Sequence, residues 1–150
     1  MKKWIYLSFL LLIIFTACGK IKDPEFKRLE KFEVKSFGIQ QVEIGFKVTY
    51  FNPNSFGVTV KEAAGDVYVD SVFIGKFDQT GDVSVEKNAD FSIPFSGNVP
   101  LANALKLKVG DLSNREVLVR ADGSVKVGKA GVYVTRPFKY QGKHKVNLKL

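Results

Sequence analysis

Few side chains in this sequence could carry out acid–base, nucleophilic or metal chemistry. Among its 150 residues there is one cysteine, Cys18, and one histidine, His144. A single cysteine excludes an intrachain disulfide and a cysteine-based zinc cluster, and a single histidine excludes a multi-histidine metal site. His144 has the same strand parity as three apolar residues, Val146, Leu148 and Leu150. We therefore expect His144 at the edge of a core and not in catalysis.

Two pairs of carboxylates are the other candidates for chemistry. Asp66 and Asp70, and likewise Asp78 and Asp82, are close in the sequence, and paired carboxylates serve in glycoside hydrolysis and calcium binding. All four fall at predicted turns or on exposed strand faces, where Asp is common. The sequence also has no Gly-x-Ser-x-Gly elbow, no phosphate-binding Gly-Lys-Ser/Thr loop and no dinucleotide fingerprint. We predict a protein that is not an enzyme and that uses no cofactor or metal.

The N-terminal segment has the layout of a secretory signal. Lys2 and Lys3 precede an apolar stretch over residues 4–15, which is shorter than the roughly 20 residues that cross a bilayer. Residues 15–18, Phe-Thr-Ala-Cys, resemble the bacterial lipobox, in which small residues precede a cysteine that is lipidated and becomes the new N-terminus. Phe15 stands where Leu or Val is usual. The alternative is a plain secreted protein whose only cysteine falls at this position.

Lipidation of Cys18 would determine location and domain organisation. We expect residues 1–17 to be a signal peptide, 18–31 a lipidated tether, and 32–150 the folded domain. The protein would then be anchored through Cys18 in the bacterial cell envelope, and two or three acyl chains would make that anchor permanent. We expect the membrane to be the outer membrane. Without residues 1–17 the net charge falls from +8 to 21 − 15 = +6. The basic residues nearest the membrane are interspersed with acidic ones, so the positive charge is not concentrated there. Export to the envelope would separate the protein from nucleic acid, so we expect no nucleic-acid partner.

Alternation with period two dominates the rest of the chain and predicts antiparallel strands in a sandwich or barrel. Asp70 and Ser71 as a two-residue turn would pair Val69 with Val72 and Val67 with Ile74. Residues 117–127 stay in phase as one long strand, with Gly123 facing inward where another segment packs closely.

One segment departs from this period. Its apolar residues recur at offsets typical of a helical stripe, which predicts a short helix over about residues 100–112 that closes one end of the sandwich. Pro100 suits the first turn, Asn98 a cap and Gly110 the terminator. The predicted stripe consists of Leu101, Leu105, Val109 and Leu112. An interfacial membrane helix is the alternative.

The segment from residue 50 to 60, YFNPNSFGVTV, resembles the signature of the type 2 late embryogenesis abundant proteins, which contain the WHy domain named for water stress and hypersensitive response. Residues 66–75, DVYVDSVFIG, resemble the hairpin that follows it in that family, with Asp70 and Ser71 in place of the usual Asn-Gly. The resemblance covers residues 32–150. It implies an all-β, antiparallel Greek-key β-sandwich similar to fibronectin type III, with one short helix and no known catalytic centre.

The Asn52, Pro53, Asn54 motif within this signature has a local physical explanation. Pro53 lacks an N–H and ends the strand ladder, and both asparagine side chains can bond to the amides of a turn. A ligand site built on the two side-chain amides is the alternative.

Two functions remain open from the sequence. The first is a non-enzymatic, membrane-anchored envelope lipoprotein with a binding or protective domain, acting under water or osmotic stress. The alternative is an accessory interaction subunit of an envelope complex, such as an adhesion or export assembly, with other envelope proteins as partners.

Overall fold

The computed structural model describes residues 20–107 and 115–145, which form eight β-strands and one helix. Cys18 and the predicted signal peptide lie outside these residues. The strands are β1 (Glu25–Phe37), β2 (Gln41–Phe51), β3 (Val58–Val69), β4 (Val72–Gln79), β5 (Val83–Val85), β6 (Asp90–Pro100), β7 (Glu116–Lys129) and β8 (Val132–Lys145), with α1 (Leu101–Lys106) between β6 and β7.

The strands pair in the order β1-β2-β6-β4-β3-β7-β8, and β5 pairs with β3. All of these pairings are antiparallel. The order β2-β6-β4-β3 is that of a Greek key, because β6 returns to lie beside β2. β4 joins the two halves through only three pairs with β6, from Phe77–Gly97 to Gln79–Phe95. The predicted all-β sandwich with one short helix is confirmed.

The core lies between the β2-β6 half and the β3, β4, β5 and β7 strands. One buried cluster contains Val60, Ala63, Val85, Phe91 and Ile93. A second contains Ile74, Phe77 and Val99, and Phe95 packs against both clusters.

The first strand begins earlier than the predicted domain boundary at residue 32. β1 starts at Glu25, which pairs with Phe51, so residues 25–31 of the predicted tether belong to the sheet. Every residue of β1 except Glu30 is exposed. An edge strand of this kind is held by backbone pairing and carries little hydrophobic periodicity, so the sequence resembled a solvated tether.

The helix is shorter than predicted and buries a different face. Leu105 is 70% exposed, whereas Ala104 and Leu107 pack against the second cluster. The predicted Leu101–Leu105 stripe is therefore wrong for this part of the helix, and its continuation at Val109 and Leu112 lies outside the described residues, as does Gly110. Asn98 lies in β6 and does not cap the helix, which follows Pro100 without a side-chain cap.

The predicted Asp70–Ser71 hairpin forms, with one change of register. Val69 pairs with Val72, but Val67 pairs with Gly75 because a β-bulge leaves Ile74 without a partner across the ladder. Both turn residues have positive φ, 46° and 70°, as a type I′ turn requires.

The long β7 strand is also confirmed, and Gly123 lies where two backbones approach closely. A Cβ at this position would meet the Ala64 carbonyl oxygen and lie 2.6 Å from Gly65 Cα. Only glycine fits here without displacing β3.

Candidate functional site

The loop after β2 is organised by the side chain of Asn52, which is 4% exposed. Its Nδ2 donates to the carbonyl oxygens of Phe56 and Glu86, both at 2.9 Å. Its Oδ1 accepts from Asn54 N at 3.1 Å and from Asn54 Nδ2 at 3.0 Å. The Asn52 amide is thus engaged on both sides, and it ties the loop 52–57 to the loop between β5 and β6. These bonds fit the structural interpretation of the motif and leave little of this amide free for a ligand.

Pro53 stands two residues after Phe51, the last residue of β2, where a missing N–H does no harm. The neighbouring Asn52 and Asn54 have backbone partners on the loop before β6: Asn52 N donates to the Ala89 carbonyl, and Asn88 N donates to that of Asn54. The motif therefore joins two loops at one end of the sandwich.

Asn54 makes a contact that sequence reasoning missed. Its Oδ1 accepts from Lys22 N at 2.9 Å, and its Nδ2 donates to the Lys22 carbonyl at 2.7 Å. The side-chain amide thus bonds both backbone groups of one residue, as a neighbouring strand would. No periodicity or spacing connects residues 22 and 54, so the sequence carries no signal for this contact.

A second cluster joins the two edge strands of the sheet. The Phe26 ring of β1 lies 5.6 Å from that of Tyr140 and 5.4 Å from that of His144, both in β8. Tyr140 Oη and His144 Nε2 are 2.6 Å apart, and Phe26 also contacts Tyr50 edge-on. Burial raises the pKa of Tyr50 and Tyr140, and Tyr140 adds to the rise at Tyr50.

This cluster packs aromatic rings, and within it His144 Nε2 is hydrogen-bonded to the Tyr140 hydroxyl. The partial burial of His144 agrees with the predicted place at the edge of the core. The apolar residues on which that prediction was based, Val146, Leu148 and Leu150, lie outside the described residues.

A polar network lies on the other face of the β1-β2-β6 sheet. The buried Thr49 hydroxyl donates to Glu30 Oε1 at 3.0 Å and lies 2.7 Å from Ser92 Oγ. Arg28 donates to the other oxygen of Glu30 at 2.9 Å. The hydrogen bonds from Arg28 and Thr49 lower the pKa of Glu30.

An open groove of about 410 Å³ lies where β4 meets β6 and is lined by polar side chains. Its lining residues are Glu43, Lys76, Asp78, Ser96, Gly97 and Asn98. It contains one member of the sequence-predicted carboxylate pairs, Asp78, whose partner Asp82 instead contacts Lys61.

The other carboxylate pair, Asp66 and Asp70, does not come together in a site. Asp70 accepts from Arg115 Nη2 at 2.7 Å and from Leu118 N at 2.9 Å, and Asp66 lies exposed within β3. Within residues 20–107 and 115–145, no three or more His, Cys, Asp or Glu residues are grouped so that they could hold a metal ion. Over the same residues, no helix has the length and apolar character needed to cross a membrane.

Comparisons with known proteins give one family and one fold. The family described as "Late embryogenesis abundant protein" matches residues 47–142. A crystal structure of a protein from Archaeoglobus fulgidus is 13% identical, with a TM-score of 0.50, over 83% of this chain and 99% of that chain. A solution structure of a protein from Arabidopsis thaliana is 18% identical, with a TM-score of 0.53, over 89% of this chain and 88% of that chain. A search of curated proteins found no match.

Proposed function

We propose, because the chain belongs to the late embryogenesis abundant protein family, that it is a lipoprotein of the bacterial envelope whose WHy-type sandwich binds or protects other envelope molecules under water or osmotic stress. The domain acts by binding other molecules to its surface in a fixed molar ratio, and it does not convert a substrate. Cys18 carries the lipid, and the anchor lies in the outer membrane.

The single observation that supports the proposed lipid anchor is the position of Cys18. The only cysteine of the chain follows a basic, then apolar, then small-residue segment, at the place where a lipobox cysteine stands. β1 begins seven residues after Cys18, so the anchor and the sandwich are joined by a short segment.

The binding role is supported by the chemistry of the polar clusters. The Asn52 amide, the Thr49–Glu30 contact and Asp70 are each bonded within the domain. Among these described groups only the Thr49 hydroxyl lies beside a base, Glu30, and Thr49 is 1% exposed, so it is closed to a substrate that would react by covalent catalysis.

Metabolic labelling with a clickable fatty acid tests the anchor. Wild-type protein should take up label, and Cys18→Ser should remain an unlabelled precursor, because no other thiol can accept the lipid. Ser8→Ala, a change within the predicted signal peptide, is the matched control and should retain label. Label in Cys18→Ser would contradict the lipoprotein assignment.

Protection of a client enzyme through drying or freeze–thaw tests the binding role. Protection should rise with domain concentration and saturate near molar equivalence, since each domain shields a limited surface. Multiple turnovers of any substrate, abolished by one polar substitution, would show instead that the protein is an enzyme.

One observation favours the second candidate function, an accessory subunit of an envelope complex. Four exposed apolar residues meet where β1 ends and α1 begins, because Leu101 N donates to the Gln40 carbonyl at 2.8 Å. We name them the distal apolar cluster: Phe37, Ile39, Leu101 and Leu105. Crosslinking in intact cells should recover one partner in stoichiometric amounts if this function is correct, and Ile39→Lys should reduce that recovery.

A further inference from the structure

We infer that the end of the sandwich that carries Asn54 faces the membrane and rests on anionic phospholipid headgroups, with the Asn54 side chain holding the tether in this orientation. This inference rests on the proposed lipidation of Cys18. The lipid-facing surface, named here the tether end, comprises residues 20–24, 52–57, 86–89 and 129–132.

The reach of the chain sets how far the tether end can stand from the bilayer. Lys22 is bonded to Asn54 through both backbone groups, and Cys18 lies four residues before it. Four residues span at most about 14 Å when fully extended. The Asn54 side-chain amide, 2.9 Å from Lys22 N, is therefore within about 17 Å of a lipidated Cys18.

The same reach excludes the opposite orientation. β1 leaves the tether end at Glu25 and runs 13 residues to Phe37, which is about 40 Å of strand at 3.3 Å per residue. A gap of about 14 Å is also too small for a folded protein between the tether end and the bilayer, since a small domain is about 30 Å across. Lipid is the occupant that fits.

Strand register brings three loops together at this end. Val58 pairs with Val85 and Thr59 with Gly128, so the β5–β6 loop and the β7–β8 turn lie beside the loop 52–57. The turn has positive φ at Ala130 and Gly131, and the next residue, Val132, is 73% exposed.

The exposed residues of the tether end have the composition of an interfacial membrane contact. Three apolar side chains are exposed, Ile21 at 77%, Val132 at 73% and Phe56 at 38%. Four lysines and two acids give these residues a net charge of +2 (4 − 2). The charged residues are Lys20, Lys22, Lys87 and Lys129 with Asp23 and Glu86, all of them exposed. Basic residues beside exposed apolar ones favour an anionic lipid surface.

Fluorescence quenching in reconstituted vesicles tests the orientation. Lipidation consumes the Cys18 thiol, so a cysteine introduced into the full-length lipoprotein is the only free thiol and can be labelled alone. Val132→Cys reports on the tether end, and Leu105→Cys, also highly exposed, is the matched control in the distal apolar cluster. In vesicles with phosphatidylglycerol, a headgroup-attached quencher should reduce emission several-fold more at Val132→Cys than at Leu105→Cys.

Two sets of variants test the causes. Asn54→Ala should lower the difference in quenching by at least half, because the tether is released. Lys87→Glu with Lys129→Glu should lower it in phosphatidylglycerol vesicles and not in phosphatidylcholine vesicles. The matched control pair is Lys35→Glu with Lys106→Glu, two exposed lysines toward the distal end, which should leave the difference unchanged. Circular dichroism melts identify any variant that fails to fold.

The failures are distinguishable. If the chain takes up no fatty acid and does not sediment with vesicles, that result contradicts both the proposed function and this inference. If the chain is lipidated and sediments but both labels are quenched equally, the proposed function stands and the proposed orientation is wrong. Unchanged quenching in Asn54→Ala overturns the role of Asn54.

Discussion

Replacing Asn52 by alanine should destabilise the domain more than replacing Asn54, the other asparagine of the motif, by alanine. The wild-type side chain is 4% exposed and takes part in four hydrogen bonds. A net contribution of about 1 kcal/mol for each bond gives an upper value near 4 kcal/mol. Rehydration of the Phe56 and Glu86 carbonyls, which belong to exposed residues, lowers the expected loss to about 3 kcal/mol. That is a large part of the roughly 5–15 kcal/mol that stabilises a domain.

Urea denaturation of a soluble fragment over residues 20–150 measures this loss as a lower midpoint at an unchanged slope. Asn52→Asp is the informative second variant, because it keeps an acceptor for Asn54 N and places a carboxylate against the carbonyls of Phe56 and Glu86. It should be at least as destabilising as Asn52→Ala at neutral pH. Asn54→Ala, whose contacts with Lys22 are exposed, is the control and should cost about 1 kcal/mol or less. A loss below about 0.5 kcal/mol in Asn52→Ala would refute the view that Asn52 organises the loop.

The remaining predictions concern the core and the titratable groups. Ile93→Asp, which places an unpaired charge in the first cluster, should cost several kcal/mol and abolish the cooperative thermal transition, whereas the exposed change Ser84→Asp should not. Because hydrogen bonds lower the pKa of Glu30, its contribution to folding stability is present at neutral pH and is lost as the pH falls below the ordinary value of 4.5. Acid should therefore destabilise wild type more than Glu30→Gln in thermal melts across that pH range. Because burial raises the pKa of Tyr50 and Tyr140, stability should be lost as the pH rises above 10.0. In an absorbance titration, Tyr50→Phe should reduce the fraction of tyrosine that ionises above that pH.

The strands that could be predicted from sequence are those with one buried face. Residues 42–50 alternate because one face of β2 packs on the core. Residues 117–127 stay in phase because Val117 is buried and Val125 and Val127 pack against the first cluster. β1 lacks this signal because it lies at the edge and is exposed along its length. Hydrophobic periodicity therefore finds strands through burial and misses one that is held by its backbone.

The strand register and the buried face of the helix could not be predicted without tertiary information. The bulge at Ile74 keeps that side chain in the second cluster while the ladder shifts by one residue, an outcome that turn arithmetic cannot supply. Leu101 and Leu105 fit a helical stripe, yet the short α1 turns Ala104 and Leu107 toward the core. Helical spacing shows that residues share a face and does not show which face is buried.

The candidate site was predictable only where its chemistry is local. Asn52 and Pro53 indicated a turn from residue type alone, and the bond from Asn54 N to Asn52 Oδ1 agrees with that interpretation. The contact between Asn54 and Lys22 joins segments 32 residues apart, and only the path of β1 back along β2 brings them together.

The two edges of the sheet are poor places for a partner, which leaves its two ends. β1 pairs with β2 through three register irregularities, has a positive φ at Lys31, and carries basic residues along its length. β8 carries Pro137, which cannot donate to a ladder. Irregular, charged or proline-containing edges resist the addition of another strand. If the tether end rests on lipid, the distal apolar cluster is the surface that points away from the membrane, at the far end of β1. A client shielded under stress and a partner in an envelope complex would both meet this domain there, so substitutions in that cluster separate the surface that binds from the end that anchors.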